Sequence, residues 1–303
     1  MGLAEETRCV LRLYGAPQGR LAAAVALFAP QWKAEAQWKS RGAETLLAVH
    51  ADTPSGLKKA AQSLRSQFGA DVYGAGDTSL AAAAVQALES HDRLLTCGDA
   101  AAGALLESRL EKVPGAEKVY DFGTMSYASP KTAPQIEKRA RASLNREAEK
   151  DVIRQAVARA DAARRVVGTE LAVSCAERGN DRVLVLSGRK GCWLRTVSGE
   201  ENPGLWLLDM IRRAAAGLPQ AEGTGFLPVG RPARSAPAQP EKKKKPRILL
   251  ALLVVLLLAG LGAAWYLTGG DLTSLPQYLS RMDWPEWFPF WQAHQPKPGA
   301  KLI

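Results

Sequence analysis

The feature that most constrains this chain is an uninterrupted apolar run, ILLALLVVLLLAGLGAAWYL, from Ile248 to Leu267. Twenty residues of helix are about 30 Å long, the thickness of a bilayer's hydrocarbon core. Its nine leucines, with Ile248, Val254 and Val255, favour insertion by roughly 4 to 7 kcal/mol at about 0.3 to 0.6 kcal/mol each. The run therefore predicts a single transmembrane helix over 248–267. Lys242, Lys243, Lys244, Lys245 and Arg247 lie immediately before it, and the next basic residue after it is Arg281. By the positive-inside rule the N-terminal body stays in the cytoplasm and the C-terminus is exported, as expected for a single-pass protein of the cytoplasmic membrane whose partner is the lipid bilayer. The opening MGLAEETR has no apolar run, so no cleaved signal peptide is expected. Trp265 and Tyr266 fall at the outer interface, where amphipathic rings prefer to sit.

Charge follows the same division. Of the net charge of +10, a share of +6 lies between Arg231 and Arg247, where seven basic residues face only Glu241. The body is nearly balanced, and the basic run has no interleaved aromatics, so nucleic acid is not an expected partner. The four cysteines, Cys9, Cys97, Cys175 and Cys192, form no CxxC pair, and the three histidines stand apart. Neither a disulfide framework nor a metal site is expected, and nothing calls for a cofactor.

Upstream of residue 218, β-like and helix-like stretches alternate. A first block (1–91) reads as a small α+β domain. It has strands at 7–15, 44–51 and 71–73, and helices over 17–29, 54–68 and 79–90. A second block (92–218) opens with the apolar strand 93–97 and a helix over 99–112 that stops before Pro114 and Gly115. A strand over 118–128, helices over 133–142 and 146–165, strands at 170–175, 182–188 and 192–198, and a helix over 203–218 follow. Strands separated by helices predict a layered α/β fold. Residues 219–247 shift to Pro, Gly, Ala and Ser and then to lysines, a composition that predicts a semi-extended linker. Beyond the apolar run, the tail 268–303 contains DWPEWFPFWQ, whose Trp284, Trp287 and Trp291 read as an outer-face membrane anchor, a partner-docking patch or a collapsed aromatic cluster. A further expectation makes this tail the working part and the body its sensor or brake.

The second block resembles the C-terminal amidase domain of the CinA (competence/damage-inducible protein A) family, which hydrolyses nicotinamide mononucleotide to nicotinate mononucleotide and ammonia. TCGDAAAGALLESRLEKVPGAEKVYDFGTMSYASPK (Thr96–Lys131) is similar to the family succession AESCTGG, helix, V-P-G and G-V-V-x-Y-S-N-E-A-K. Matched from Val113-Pro114-Gly115, the spacing to Gly103, Gly123 and Tyr127 needs no gap. VLRLYGAP and DVYGAGDTSLAAAAVQAL resemble the small domain that precedes the amidase. The resemblance covers about residues 5–218 and implies a pyridine nucleotide ligand and a homo-oligomer assembled through the amidase-like domain.

The departures fall on the chemistry. In that family a lysine activates a serine nucleophile, because a hydroxyl needs a proton acceptor beside it. The serine position is Ala100 here, with Asp99 at the Glu and Ala104 at the second Gly, and the lysine position is Thr132, next to Lys131. The family's later glycine-rich loop, suited to a phosphate, reads S-C-A-E-R-G and keeps Ser174 and Gly179, which with Gly103 are the ligand-binding candidates. Cys97, Asp99, Tyr127 and Lys131 are the catalytic candidates. Each has an ordinary alternative: a small apolar strand end for Cys97, a helix N-cap for Asp99 and packing for Tyr127. The expected function is a membrane-anchored CinA-like protein whose cytoplasmic domain binds or scaffolds without catalysis. The alternative is an active nicotinamide-nucleotide amidohydrolase that uses Cys97, or Ser126 with Lys131.

Overall fold

A computed structural model of the chain describes residues 7–228, the side chains of 27–32 excepted. The linker from 229 onward, the basic cluster Lys242–Arg247, the apolar run 248–267 and the aromatic tail lie outside the described residues. Among the described residues no helix is long and apolar enough to cross a membrane. Met1–Arg234 forms one compact unit.

Its first part is β1 (Arg8–Tyr14), α1 (Gln18–Trp32), β2 (Ala34–Arg41), β3 (Glu44–Ala51), α2 (Pro54–Phe68) and β4 (Val72–Ala75). The strands form an antiparallel sheet in the order β2-β3-β1-β4, the split βαβ arrangement. Leu11 and Leu13 of β1 and Leu47 and Val49 of β3 alternate onto the helical face. There they meet Leu57, Ala60, Leu64 and Phe68, spaced at three and four along α2. Helix α2 starts where it does because Thr53 Oγ1 accepts the Gly56 N–H at 3.1 Å and Pro54 occupies the first turn.

The second part supplies α3 (Leu80–Ser90), β5 (Leu95–Cys97), α4 (Ala100–Leu110), α5 (Ala116–Val119), α6 (Ala133–Ala142), α7 (Val152–Val167), β6 (Leu171–Arg178), β7 (Asp181–Gly188), β8 (Gly191–Val197), α8 (Pro203–Ala215) and β9 (Gly225–Pro228). The sheet order is β5-β6-β7-β8-β9, with β5 and β6 parallel and the other pairs antiparallel. Val173, Leu184 and Leu186 face a core shared with α3, α4 and α8. Val183 and Val185 face α7 across the other surface. Helices on both faces explain why LAVSCA and VLVLSG are continuous apolar runs. The buried face of α7 is alanine throughout (Ala156, Ala160, Ala163), so its backbone lies close against the sheet. The chain is a mixed α/β structure. Helix α3, counted with the first block by sequence, packs in the core of the second sheet with α8.

The two parts are tied by buried charge. Asp209, Arg212 and Arg213 of α8 are at most 5% exposed. Arg213 donates to Asp209 at 2.7 Å, to Asp71 at 3.0 Å and to the Tyr14 carbonyl at 3.0 Å. Arg212 donates to Asp209 and to the Ala70 carbonyl, each at 2.6 Å. Two arginines and two aspartates balance, the condition under which buried charges are tolerated. Beside them Trp206 of α8 meets Tyr14 edge-on at 4.8 Å between centroids.

Three sequence expectations need correction. Residues 118–128 are not a strand. They comprise the end of α5, a single bridge from Tyr120 to Leu95, and turns organised by the Asp121 carboxylate, which accepts the Met125 N–H at 3.2 Å. Phe122 and Gly123 both take positive φ there, which an extended strand excludes. The helix expected from 146 starts at Val152, where Asp151 Oδ1 accepts the Ile153 N–H at 2.9 Å. The expected linker from 219 still contributes β9, whose Phe226 packs on Trp193 at 5.2 Å between ring centroids. Strand β2 has no counterpart in the sequence reading, because its alternation of Ala34, Ala36 and Trp38 with polar residues rests on two small alanines.

Candidate functional site

The candidate site lies at the C-terminal end of β5, where the strand turns into α4. Gly98 is required by close packing, since a Cβ there would sit 2.9 Å from the Arg159 carbonyl oxygen of α7. Asp99 is the N-cap of α4: its Oδ1 accepts the Ala102 N–H at 2.9 Å. The same carboxylate accepts the Ser174 hydroxyl and the Cys175 N–H, the latter at 3.2 Å, and so joins α4 to β6. Ala100 is the first residue of α4, and its methyl lines the open side of the turn.

A cleft of about 500 Å³ opens there, bounded by Gly98, Asp99, Ala100, Tyr127, Glu137 and Arg159 among others. Arg159 donates to Glu137 at 3.4 Å and to Gln155 at 3.3 Å. Glu137 is also held by Arg141 at 3.0 Å. The cleft thus presents carboxylates and a guanidinium together. Sequence reasoning missed Glu137 and Arg159: they are distant in the chain, and only the packing of α6 on α7 brings them together.

Tyr127 forms the opposite wall. Its hydroxyl donates to Glu107 of α4, which also accepts from Tyr120 at 3.4 Å. Burial first, and then the bond to Glu107, push its pKa well above the ordinary tyrosine value, so it stays a neutral donor. Gly103 is a packing position: a Cβ on it would meet Tyr127 Oη at 2.5 Å.

The remaining candidates do not converge on the cleft. Cys97 is fully buried and meets the Tyr120 hydroxyl at 3.1 Å. Burial raises its thiol pKa well above the usual range, the opposite of an activated thiolate. Ser126 is fully buried, and its hydroxyl has no hydrogen-bond partner, so no amine activates it. Lys131 is exposed and outside the cleft wall. Thr132 is tied to Ser129, with 3.1 Å between their hydroxyl oxygens. Ser174 lies within β6, fully buried. Gly179 takes φ +62° in the β6–β7 turn, five residues and about 16 Å further along the strand. The glycine-rich loop expected at 174–179 is therefore strand and hairpin turn.

No family model matches the sequence. Among curated proteins it is 33% identical over 86 residues to a "CinA-like protein" of Desulfovibrio desulfuricans, covering 28% of this chain and 20% of that one. It is 32% identical over 78 residues to a "CinA-like protein" of Gemmatimonas aurantiaca, covering 26% and 18%. Over these segments the chain is similar to the CinA-like proteins. It spans about a fifth of the length of these CinA-like relatives. Among solved structures, a competence or damage-inducible protein from Enterobacter asburiae aligns with 46% of this chain and 94% of its own, at 13% identity and a TM-score of 0.30.

Proposed function

We propose that this is a membrane-tethered CinA-like protein whose cytoplasmic cleft binds a ligand without hydrolysing it. The observation that carries this is the wall of the cleft. Ala100 stands at the turn, and no serine, threonine, cysteine or lysine is among the lining residues. Nucleophilic amide hydrolysis needs a hydroxyl or thiol with a base in hydrogen-bond reach. Asp99 is occupied by three hydrogen bonds, and Tyr127 is a neutral donor to Glu107. What remains is recognition chemistry: an apolar floor, an aromatic edge, and charges of both signs from Glu137 and Arg159. That combination suits a zwitterion such as a pyridine nucleotide, with its cationic ring and anionic phosphate. The tether is the apolar run 248–267, with the basic cluster Lys242–Arg247 fixing its orientation.

The test incubates the chain with nicotinamide mononucleotide, following heat of binding, released ammonia and the one-dalton mass change of the product. Binding that weakens at least tenfold in Arg159→Gln, without ammonia from the natural chain or from Ala100→Ser, is the expected result. Ammonia release by the natural chain overturns it. The anchor is tested separately: the full chain should stay with membranes through an alkaline carbonate wash, and a chain lacking 248–267 should not.

A further inference from the structure

A second hollow, of about 380 Å³, lies at the other end of β5 from the cleft, and its lining includes Arg93, Glu170, Arg189, Lys190, Trp193 and Leu218. Arg189 and Lys190 are the two-residue tip of the β7–β8 hairpin, bounded by the Gly188–Gly191 pair. Arg189 is paired with Glu170 at 3.2 Å. Arg93 and Lys190 pair with no carboxylate among the described residues, so the rim carries a surplus of two positive charges; Asp92 adjoins it in the chain.

The same end exposes apolar side chains. Leu94 is 46%, Leu218 38% and Phe226 46% exposed. Phe226 continues the surface from Trp193, on which it packs. Beside them the chain leaves the described residues: Pro228, the last residue of β9, pairs with Gly191 next to Lys190. Fourteen positions later comes Lys242, the first of the basic cluster, at most about 50 Å away even when fully extended.

From these positions we propose that this end of the second sheet docks on an anionic lipid bilayer. Leu94, Leu218 and Phe226 enter the interface, and Arg93, Arg189 and Lys190 meet lipid phosphates. Apolar side chains rimmed by a surplus of cations are the composition that anionic interfaces retain. The tether adds to this contact by raising the local lipid concentration. The cleft at Ala100 opens beyond the opposite end of β5 and stays free. The proposal rests on the reading that 248–267 spans a bilayer, and its test is independent of the carbonate wash.

Met1–Arg234, which holds both sheets and all four of its hydrophobic clusters within one compact unit, is sedimented with vesicles of phosphatidylcholine alone or with phosphatidylglycerol. Binding is expected only with phosphatidylglycerol and should fall with salt. The double change Arg189→Gln, Lys190→Gln should weaken it roughly 25-fold, about fivefold per cation. Leu218→Ser should weaken it further. Arg178→Gln with Arg182→Gln, at the other end of the β6–β7 pair, should leave binding within twofold. Equal binding by the Arg189 and Lys190 variant, equal binding to pure phosphatidylcholine, or no binding at all overturns the proposal. So does displacement by millimolar glycerol phosphate, which would make the hollow a site for a small free anion.

Discussion

Replacing Gly103 with alanine puts a methyl carbon 2.5 Å from Tyr127 Oη, 2.7 Å from Cζ and 2.9 Å from Cε1. The ring cannot simply retreat, because the Gly123 side leaves equally little room: a Cβ there would lie 2.7 Å from Cε1. Relief must move the hydroxyl off Glu107. Overpacking costs about 1–3 kcal/mol, and losing a hydrogen bond to a carboxylate about 1.5 kcal/mol or more. Alanine returns about 1 kcal/mol of helix propensity. The net expectation is a loss of about 1.5–3.5 kcal/mol, seen as a lower urea midpoint for Met1–Arg234 and a Tm lowered by roughly 3–14 °C. In a Tyr127→Phe background the closest atom and the bond to Glu107 are already gone. There Gly103→Ala should cost about 1.5 kcal/mol less, a coupling that a double-mutant cycle reads directly. Equal stabilisation of about 1 kcal/mol in both backgrounds would refute the reasoning, since it would leave helix propensity as the only operative effect.

Arg213→Met leaves Asp209 and Asp71 facing each other's surroundings with one guanidinium fewer, and should cost about 3–5 kcal/mol in urea denaturation, more than Arg12→Met at the partly exposed pair with Glu44. Asp99→Ala removes a cap and strands the buried Ser174 hydroxyl, for a loss of about 2–4 kcal/mol; adding Ser174→Ala should recover part of it. Stability should also fall at alkaline pH. Burial, ahead of the charge on Asp99, raises the Cys175 thiol from 9.0 to about 11. The thiol's contribution is full below pH 9, where both states are protonated, and is lost as pH rises from 9 to 11 while the unfolded chain ionises first. A Cys175→Ala variant, followed by thermal melts, should show a shallower decline across that window.

Elements whose signals were local were legible in the sequence. Strand β3 and helices α2 and α6 have the bounds that alternation, capping and proline placement indicated. The N-cap at Asp99 was legible too, because a cap joins a residue only to one three positions further along the chain. Strands β2 and β9 were not, since each is an edge strand whose identity comes from the partner it pairs with. The site divides in the same way. The alanine at the turn is visible in the chain, whereas the Glu137–Arg159 pair and the bond from Tyr127 to Glu107 exist only once α6 lies on α7 and the 121–127 turns fold back over α4.

Strand β9 has a mechanical consequence. It is the last described element before the chain runs on toward the basic cluster, and it is held to β8 by only four register pairs, from Gly191–Pro228 to Leu194–Gly225. Tension on the chain beyond Pro228, directed away from the sheet, reaches that first pair before any other part of the body. Opened from one end, a short antiparallel strand loses its ladder bonds one after another rather than all together. Peeling would uncover the β8 edge and part Phe226 from Trp193 while β5–β8 and their helices stay intact. The body therefore has a built-in yield point, at which a pull on the chain beyond Pro228 frees a few residues before it strains the fold.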